Sequence, residues 1–440
     1  MPGLYDAASR AAFRNDPASR ATLLTEFGTA FRTFGMAMRR FSWDNFTPPA
    51  PQMSSEQRRA ASVAAVAHAL HDGYTDLIYI MLPLWQAEFG LTYAALGALR
   101  SVFVGAMAGL QIPAGLLAER FGAAPILALG TALAGLGYCF AGLSTSFLML
   151  LGALLVGGIG SSTQHPIASS LVARSFAGPY SLKALGAYNF SGDLGKMTLP
   201  ATLSLMLLAM TWRPALALLG TMGIVVAAAI LFIAPRYKGV AAAALRGTEE
   251  TENGRERQPF AFAILTTLGI VDSATRMGFL LFLPFVLTDK GATLQTVGLA
   301  MTLVFAGGAA GKLVCAFIGS RIGVIATVWL TEGLTAGGIL ALFPLPLAGA
   351  LILLPLIGIA LNGTSSVLYG SVPELVESHW QTRALSIFYT GTIGSSALAP
   401  VLFGRVGDAL GVWHALELVA AFVLLTLPLA ALLRGSLSRR

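Results

Sequence analysis

The sequence predicts an all-α integral membrane protein, with twelve transmembrane helices in two six-helix pseudo-symmetric halves. Three observations carry that expectation. Only 11% of the 440 residues are charged and 55% are hydrophobic, against roughly 25% charged in an ordinary soluble domain. The apolar residues run in blocks of about 20 or more, the length that crosses a hydrocarbon core of about 30 Å. The second half of the chain also repeats landmarks of the first. The 49 glycines fit the same picture, because small residues let helices approach closely in lipid.

Residues 1–60 stand apart as an N-terminal extension. Eight arginines lie here, from Arg10 to Arg59, with no apolar core behind a basic start, so no signal peptide is expected. Leu24, Phe27, Phe31, Phe34, Met38 and Phe41 step by three and four, while Arg32, Arg39 and Arg40 fall elsewhere around the same helix. This predicts a basic amphipathic helix, lying either on the membrane surface or on the protein's own cytoplasmic face. Pro48, Pro49 and Pro51 end it.

Length and hydropathy then mark twelve segments, roughly 61–86, 93–118, 123–142, 147–174, 182–209, 213–234, 259–287, 293–318, 323–343, 347–372, 383–408 and 412–433. The six of 61–234 form an N-terminal half and the six of 259–433 a C-terminal half. A polar loop at 235–258 joins them, and a basic tail follows at 434–440. With the N-terminus inside, 21 of the 28 Lys and Arg fall on the cytoplasmic side and three on the other. That bias places both termini in the cytoplasm of a multi-pass protein of the bacterial inner (plasma) membrane. Because the basic residues sit in short segments between apolar blocks, the net charge of +7 does not point to nucleic acid.

Shifted by 201 residues, Gly90-Leu-Thr-Tyr-Ala-Ala-Leu-Gly97 falls on Gly291-Ala-Thr-Leu-Gln-Thr-Val-Gly298, Pro83 on Pro284, and Arg120-Phe-Gly122 on Arg321-Ile-Gly323. At a shift of 200, Lys183-Ala-Leu185 meets Arg383-Ala-Leu385 and Pro200 meets Pro400. Parallel halves about an axis along the membrane normal are one of the ways in which carriers are built.

Enzymes are excluded as far as motifs go. There is no Gly-x-x-x-x-Gly-Lys-Ser/Thr phosphate loop, no Gly-x-Ser-x-Gly elbow and no His-Glu-x-x-His helix. Cys139 and Cys315 both lie inside apolar blocks, and scattered histidines do not form a metal motif by spacing. No cofactor and no metal are expected.

Gly115-Leu-Leu-Ala-Glu-Arg-Phe-Gly122 resembles the signature that the major facilitator superfamily carries in the loop after its second helix, with Glu119 for the usual Asp and Ala123 and Ala124 for the trailing basic residues. Within that superfamily the chain resembles the fosmidomycin-resistance branch of bacterial drug exporters. His68-Ala-Leu-His71-Asp72 is similar to its His-x-x-Asn-Asp, Gly160-Ser-Ser-Thr-Gln-His165-Pro166 to its Gly-Ser-(x)-His-Pro-Glu, and Ser191-Gly192-Asp193-Leu194-Gly195 to its Gly-Gly-Asn-x-Gly. Ile167, Asp193 and Lys196 depart from the branch pattern. The resemblance implies a monomeric secondary transporter working by alternating access, with a proton-coupled export of a small polar or anionic molecule or drug. An importer of a small organic anion and a non-transporting sensor or scaffold are the alternatives. It also implies a gating role for Gly115, Glu119, Arg120, Gly122 and Arg321.

A charge at mid-bilayer costs at least about 2.5–3.5 kcal/mol, so ionisable residues inside the spans mark the site. The acidic ones read here are Asp72, Asp76, Asp193 and Asp272, and the basic ones Arg100, Lys196, Arg276 and Lys312. Asp72 and Asp76 share a face of the first helix with His71 nearby, Asp193 and Lys196 are one turn apart, and Asp272 is placed to pair with Arg276. Arg100 fits either a cavity or a snorkelling role, and Lys312 is expected to snorkel. The expectation is that Asp72, Asp76 and Asp193 handle the coupling proton, because a buried carboxylate holds a proton more readily than one in water. His71, His165, Gln164, Lys196, Asp272, Arg276 and Arg100 are expected to bind substrate.

Overall fold

The computed structural model describes residues 53–176, 179–235, 258–377 and 380–437. The predicted amphipathic helix at 24–41, nearly all of the central loop and the last three residues lie outside the described residues. Glu56–Arg440 forms one compact body, and every regular element described in it is a helix.

α1 (Ser55–Phe89) is followed by α2 (Tyr93–Gly109) and α3 (Gln111–Phe121), which bend by 44° at Leu110. Next come α4 (Ala123–Leu143), α5 (Phe147–Ser161), α6 (Gln164–Ser175), α7 (Pro179–Ala209) and α8 (Trp212–Ile233). The second half holds α9 (Pro259–Asp289), α10 (Leu294–Ile322), α11 (Val324–Ala341), α12 (Leu347–Ser371), α13 (Gln381–Leu410), α14 (Val412–Val423) and α15 (Thr426–Leu432), with the short α16 (Arg434–Leu437) at the end. Among the described residues nine helical spans are long and apolar enough to cross a membrane, or ten when α2–α3 counts as one. The two long rods outside that set are α1, of 35 residues, and α7, of 31. Both are diluted by polar residues: α1 carries His68, His71, Asp72 and Asp76, and α7 carries Asp193 and Lys196. Together they complete the twelve rods.

One detail corrects the sequence reading. Gly115, Glu119 and Arg120, expected in a loop, belong to helix α3, and the chain breaks only at Gly122. The predicted fourth span is present as one rod, Phe147–Ser175, with a turn at Ser162 and Thr163 between α5 and α6.

The repeat is visible in the backbone. Gly90 and Gly291 have φ of 63° and 86°, and Gly122 and Gly323 have φ of 96° and 84°. Each stops or starts a helix in a left-handed conformation that glycine adopts without strain. Thr92 caps α2 by accepting from Ala95 N at 3.2 Å, and Thr293 caps α10 by accepting from Thr296 N at 3.3 Å.

α2 packs on α13, and α7 packs on α10, so each half lends one helix to each side of the seam. The contacts across the seam gather where α1 ends, here called the Phe89 end. The Asp408 carboxylate of α13 accepts from Tyr93 N at 2.6 Å and Ala94 N at 3.0 Å at the start of α2, a placement the helix dipole favours. The Tyr93 ring lies 5.8 Å from Phe282 and 5.1 Å from Phe285. Gly404 lets α13 approach so closely that a Cβ there would sit 2.5 Å from the Tyr93 carbonyl. Toward the opposite, Ser55 end, α7 and α13 leave Tyr180, Phe190, Ile387 and Tyr389 exposed.

Asp408→Ala removes both acceptors from the start of α2, at a cost of about 1 kcal/mol by the usual worth of a cap. In a Phe282→Cys background, Asp408→Ala is expected to speed modification by a membrane-impermeant maleimide several-fold. Unchanged labelling would mean that the carboxylate does not hold the Phe89 end shut.

Candidate substrate and ion site

A 35-residue helix is about 52 Å long, and Asp72 lies about 25 Å from either end of α1. Around it the structure gathers most of the predicted site. Lys196 Nζ of α7 is 3.3 Å from Asp72 Oδ2, His68 Nε2 is 3.5 Å from the same oxygen, and His71 Nε2 is 3.9 Å from Oδ1. Lys196 is also 4.0 Å from Asp193. Asp193 in turn accepts from Lys312 of α10 at 2.7 Å through each oxygen. Lys312 therefore does not snorkel as expected. It reaches from one half to the other, because the Asp193 carboxylate is the nearer refuge for its charge.

The histidines form a stack behind this chain of charges. His68 Nδ1 is 2.8 Å from the Tyr188 carbonyl, and its ring stacks on Tyr188 with centroids 4.1 Å apart. His165 of α6 meets His68 and His71 edge-on at 5.3 and 5.1 Å. α7 approaches α1 this closely because it presents Gly192 and Gly195. A Cβ on Gly192 would lie 2.6 Å from Asp72 Oδ2, and one on Gly195 would collide with the Ala69 carbonyl. Beside His71 a small cavity is lined by Thr131, Ser161, Thr163 and Gln164.

Arg100, which is 3% exposed, does not reach the surface either. Its guanidinium is 3.4 Å from Asp76 and 5.0 Å from the centroid of the Tyr79 ring. In the C-terminal half, Arg276 is 3.9 Å from Asp272, as predicted, and donates to Asn362 at 3.4 Å. The Asp272 carboxyl has a second neighbour that the sequence reading overlooked, Glu332 of α11, within hydrogen-bonding reach. Glu332 is 2% exposed. Its signal was in plain view, since it is an acid inside the ninth apolar segment.

The gating set falls elsewhere. Glu119, Arg120 and Arg321 are exposed, and the two arginines lie over their own neighbours Phe121 and Phe317 at 5.3 and 4.4 Å. The arrangement thus separates a buried site from an exposed signature. Within the site, His68, Asp72 and His165 each offer a ligand atom, all within 4.8 Å of one another. Spacing in sequence could not reveal that trio, because His165 arrives from a different helix.

Comparison with known proteins places this geometry in a family. Residues 64–271 and 265–439 match the profile described as Major Facilitator Superfamily. The chain is 27% identical over 269 residues to a probable L-galactonate transporter of Escherichia coli K12, covering 56% of each chain. It is 31% identical over 131 residues to the fosmidomycin resistance protein of the same strain, covering 30% of this chain and 32% of that one. The alignments thus span from a third to just over half of these relatives. A crystal structure of a bacterial homolog to the human lysosomal transporter Spinster, in an inward-facing and occupied conformation, superposes with a TM-score of 0.74 at 15% identity. It covers 88% of this chain and 98% of that one, a likeness of fold.

Breaking a buried ion pair on one side strands the partner's charge, at a cost on the order of 3–5 kcal/mol, whereas removing both is often neutral. Asp76→Ala is therefore expected to lower thermal stability in detergent sharply, and Asp76→Ala with Arg100→Met to restore most of it. Equal destabilisation by the single and double substitutions would show that the two side chains are not energetically coupled.

Proposed function

Because the chain belongs to the Major Facilitator Superfamily, we propose that it is a secondary active transporter that exports a small polar or anionic molecule, coupled to protons, by alternating access. The observation that carries this reading is the buried charge chain between the halves, in which Lys196 keeps 30% of its side chain exposed. An ammonium held deep in the protein but open to a cavity recognises a carboxylate or phosphonate. Arg276, with 22% of its side chain exposed, supplies a second cation from α9. Likeness to proteins named for L-galactonate and for fosmidomycin resistance supports an anionic class. With the Phe89 end sealed and the Ser55 end presenting exposed aromatic residues, substrate enters from the side that the charge bias assigns to the cytoplasm.

The proton is best accommodated in the C-terminal half. Asp72, Asp76 and Asp193 each face a base already, so a proton arriving there has to displace it. Asp272 lies 3.9 Å from Arg276, with Glu332 as its carboxyl neighbour. Two carboxylates only accept, so a hydrogen bond between them requires a proton. Gain or loss of that proton changes the charge opposite Arg276, and so biases whichever conformation keeps the pair together.

The test is growth inhibition in an efflux-deficient host, with fosmidomycin, other phosphonates, fatty acids and hydrophobic cations, followed by proteoliposome transport of the protected compound under an imposed pH gradient. Protection by the wild-type chain is expected for an anionic class. Lys196→Ala should raise KM about tenfold, the equivalent of ~1.4 kcal/mol. Asp272→Asn and Glu332→Gln should each abolish the response to the pH gradient while leaving substrate exchange. Gradient-driven transport that survives both substitutions overturns the proton assignment, and protection against cations alone overturns the anionic one.

A further inference from the structure

We propose that His68, Asp72 and His165 form a binding site for a divalent transition-metal ion, and that Lys196 is a tethered cation occupying the seat in the metal-free protein. Four independent features support this. The three ligand atoms already lie within 4.8 Å of one another, and small side-chain rotations bring such atoms to the 2.0–2.2 Å that zinc requires. The tautomer of His68 is set by its second neighbour. The Tyr188 carbonyl, 2.8 Å from Nδ1, only accepts, so Nδ1 carries a hydrogen and Nε2, 3.5 Å from Asp72 Oδ2, is the ring nitrogen that faces the carboxylate and is placed to take a metal. A carbonyl or carboxylate behind the ring is how protein metal sites orient their imidazoles.

The third feature is His71. It is 5% exposed, both its ring nitrogens lack a hydrogen-bond partner among the described residues, and it meets His165 edge-on. A buried imidazole without partners next to the trio is a donor held in reserve. The fourth is Gly192, whose missing side chain leaves the space in front of Asp72 Oδ2 and His68 Nε2. A Cβ there would lie 2.6 Å from the first and 2.8 Å from the second.

Lys196 completes the logic. Its ammonium is 3.3 Å from the Asp72 oxygen that faces His68, and it has a second carboxylate, Asp193, at 4.0 Å. The side chain is 30% exposed, so it leaves the seat without being stranded. Two imidazoles and one carboxylate select zinc, cobalt, nickel or copper over magnesium or calcium, which prefer all-oxygen shells.

The test is binding to the full chain, purified in detergent with any affinity tag removed, using Zn2+ by calorimetry and Co2+ by its visible ligand-field absorption. It requires no transport, so its failure is separable from failure of the exporter reading. One Zn2+ per chain is expected, displacing Co2+. His68→Ala and His165→Ala, with His68→Gln and His165→Gln as conservative counterparts, should weaken affinity about tenfold or more, the range over which ligand support tunes metal sites. Lys196→Met should tighten it by a similar factor, which a lysine of merely structural role would not do. His414→Ala, an exposed histidine far along the chain, should change nothing. Absence of saturable binding by the wild-type chain, binding indifferent to His68 and His165, or weaker binding in Lys196→Met would each overturn the proposal.

Discussion

The interior of this protein is governed by the cost of charge in a low-dielectric medium. An unpaired ion in hydrocarbon costs several kcal/mol, so each buried ionisable group has to be met by another, and the helices settle where those meetings occur. α7 is drawn against α1 because Lys196 answers Asp72, and Gly192 and Gly195 give the backbone clearance to do so. α10 reaches across the seam because Lys312 answers Asp193. The chain of charges that holds α1, α7 and α10 together therefore crosses between the halves at its last link, Lys312 with Asp193. Any rocking of one half on the other has to stretch, exchange or carry that link, which is why the seam is also the natural place for coupling.

The two halves share a backbone but have diverged in chemistry at equivalent places. The 201-residue shift that relates Gly122 to Gly323 also relates His71 to Asp272, Thr131 to Glu332, and Thr163 to Thr364. In the N-terminal half His71, Thr131 and Thr163 line a small cavity. In the C-terminal half the same positions bring two carboxyls into hydrogen-bonding reach, beside Thr331 and Thr364, whose hydroxyls are 2.6 Å apart. A duplicated scaffold has thus kept its helix crossings while its copies diverged, with His71 in one and a carboxyl pair at Asp272 and Glu332 in the other.

Much of this was legible in the sequence. The periodic landmarks predicted the repeat because positive-φ glycines, capping threonines and helix prolines are demanded by local backbone geometry, and local geometry is written in local sequence. The buried charges were legible because hydropathy makes an ion inside an apolar block conspicuous. What the sequence concealed were partners. Asp272 and Arg276 sit one turn apart and were readable as a pair, but Lys312 with Asp193, and Lys196 with Asp72, meet only after long stretches of intervening chain have packed. The bend at Leu110 was hidden for a similar reason. Gly109 and Pro113 do flank it, and Pro113 has no N–H for the Gly109 carbonyl four residues back, but neither residue says whether the apolar segment bends or ends there.

The N-terminal half also shows why a lysine beside a carboxylate is not the end of the argument. A fixed ion pair with no alternative would be glue alone. Lys196 differs, since it lies within 4.0 Å of two carboxylates and keeps 30% of its side chain exposed. In a medium where every charge must be answered, a base with two answers is a movable part. Moving it from Asp72 to Asp193 leaves Asp72 wanting a cation, and leaves Lys196 better placed for an anion. On the proposed metal seat, one short side-chain displacement would link the occupancy of two seats with no rearrangement of the helices, and Gly192 and Gly195 of α7 leave room for it.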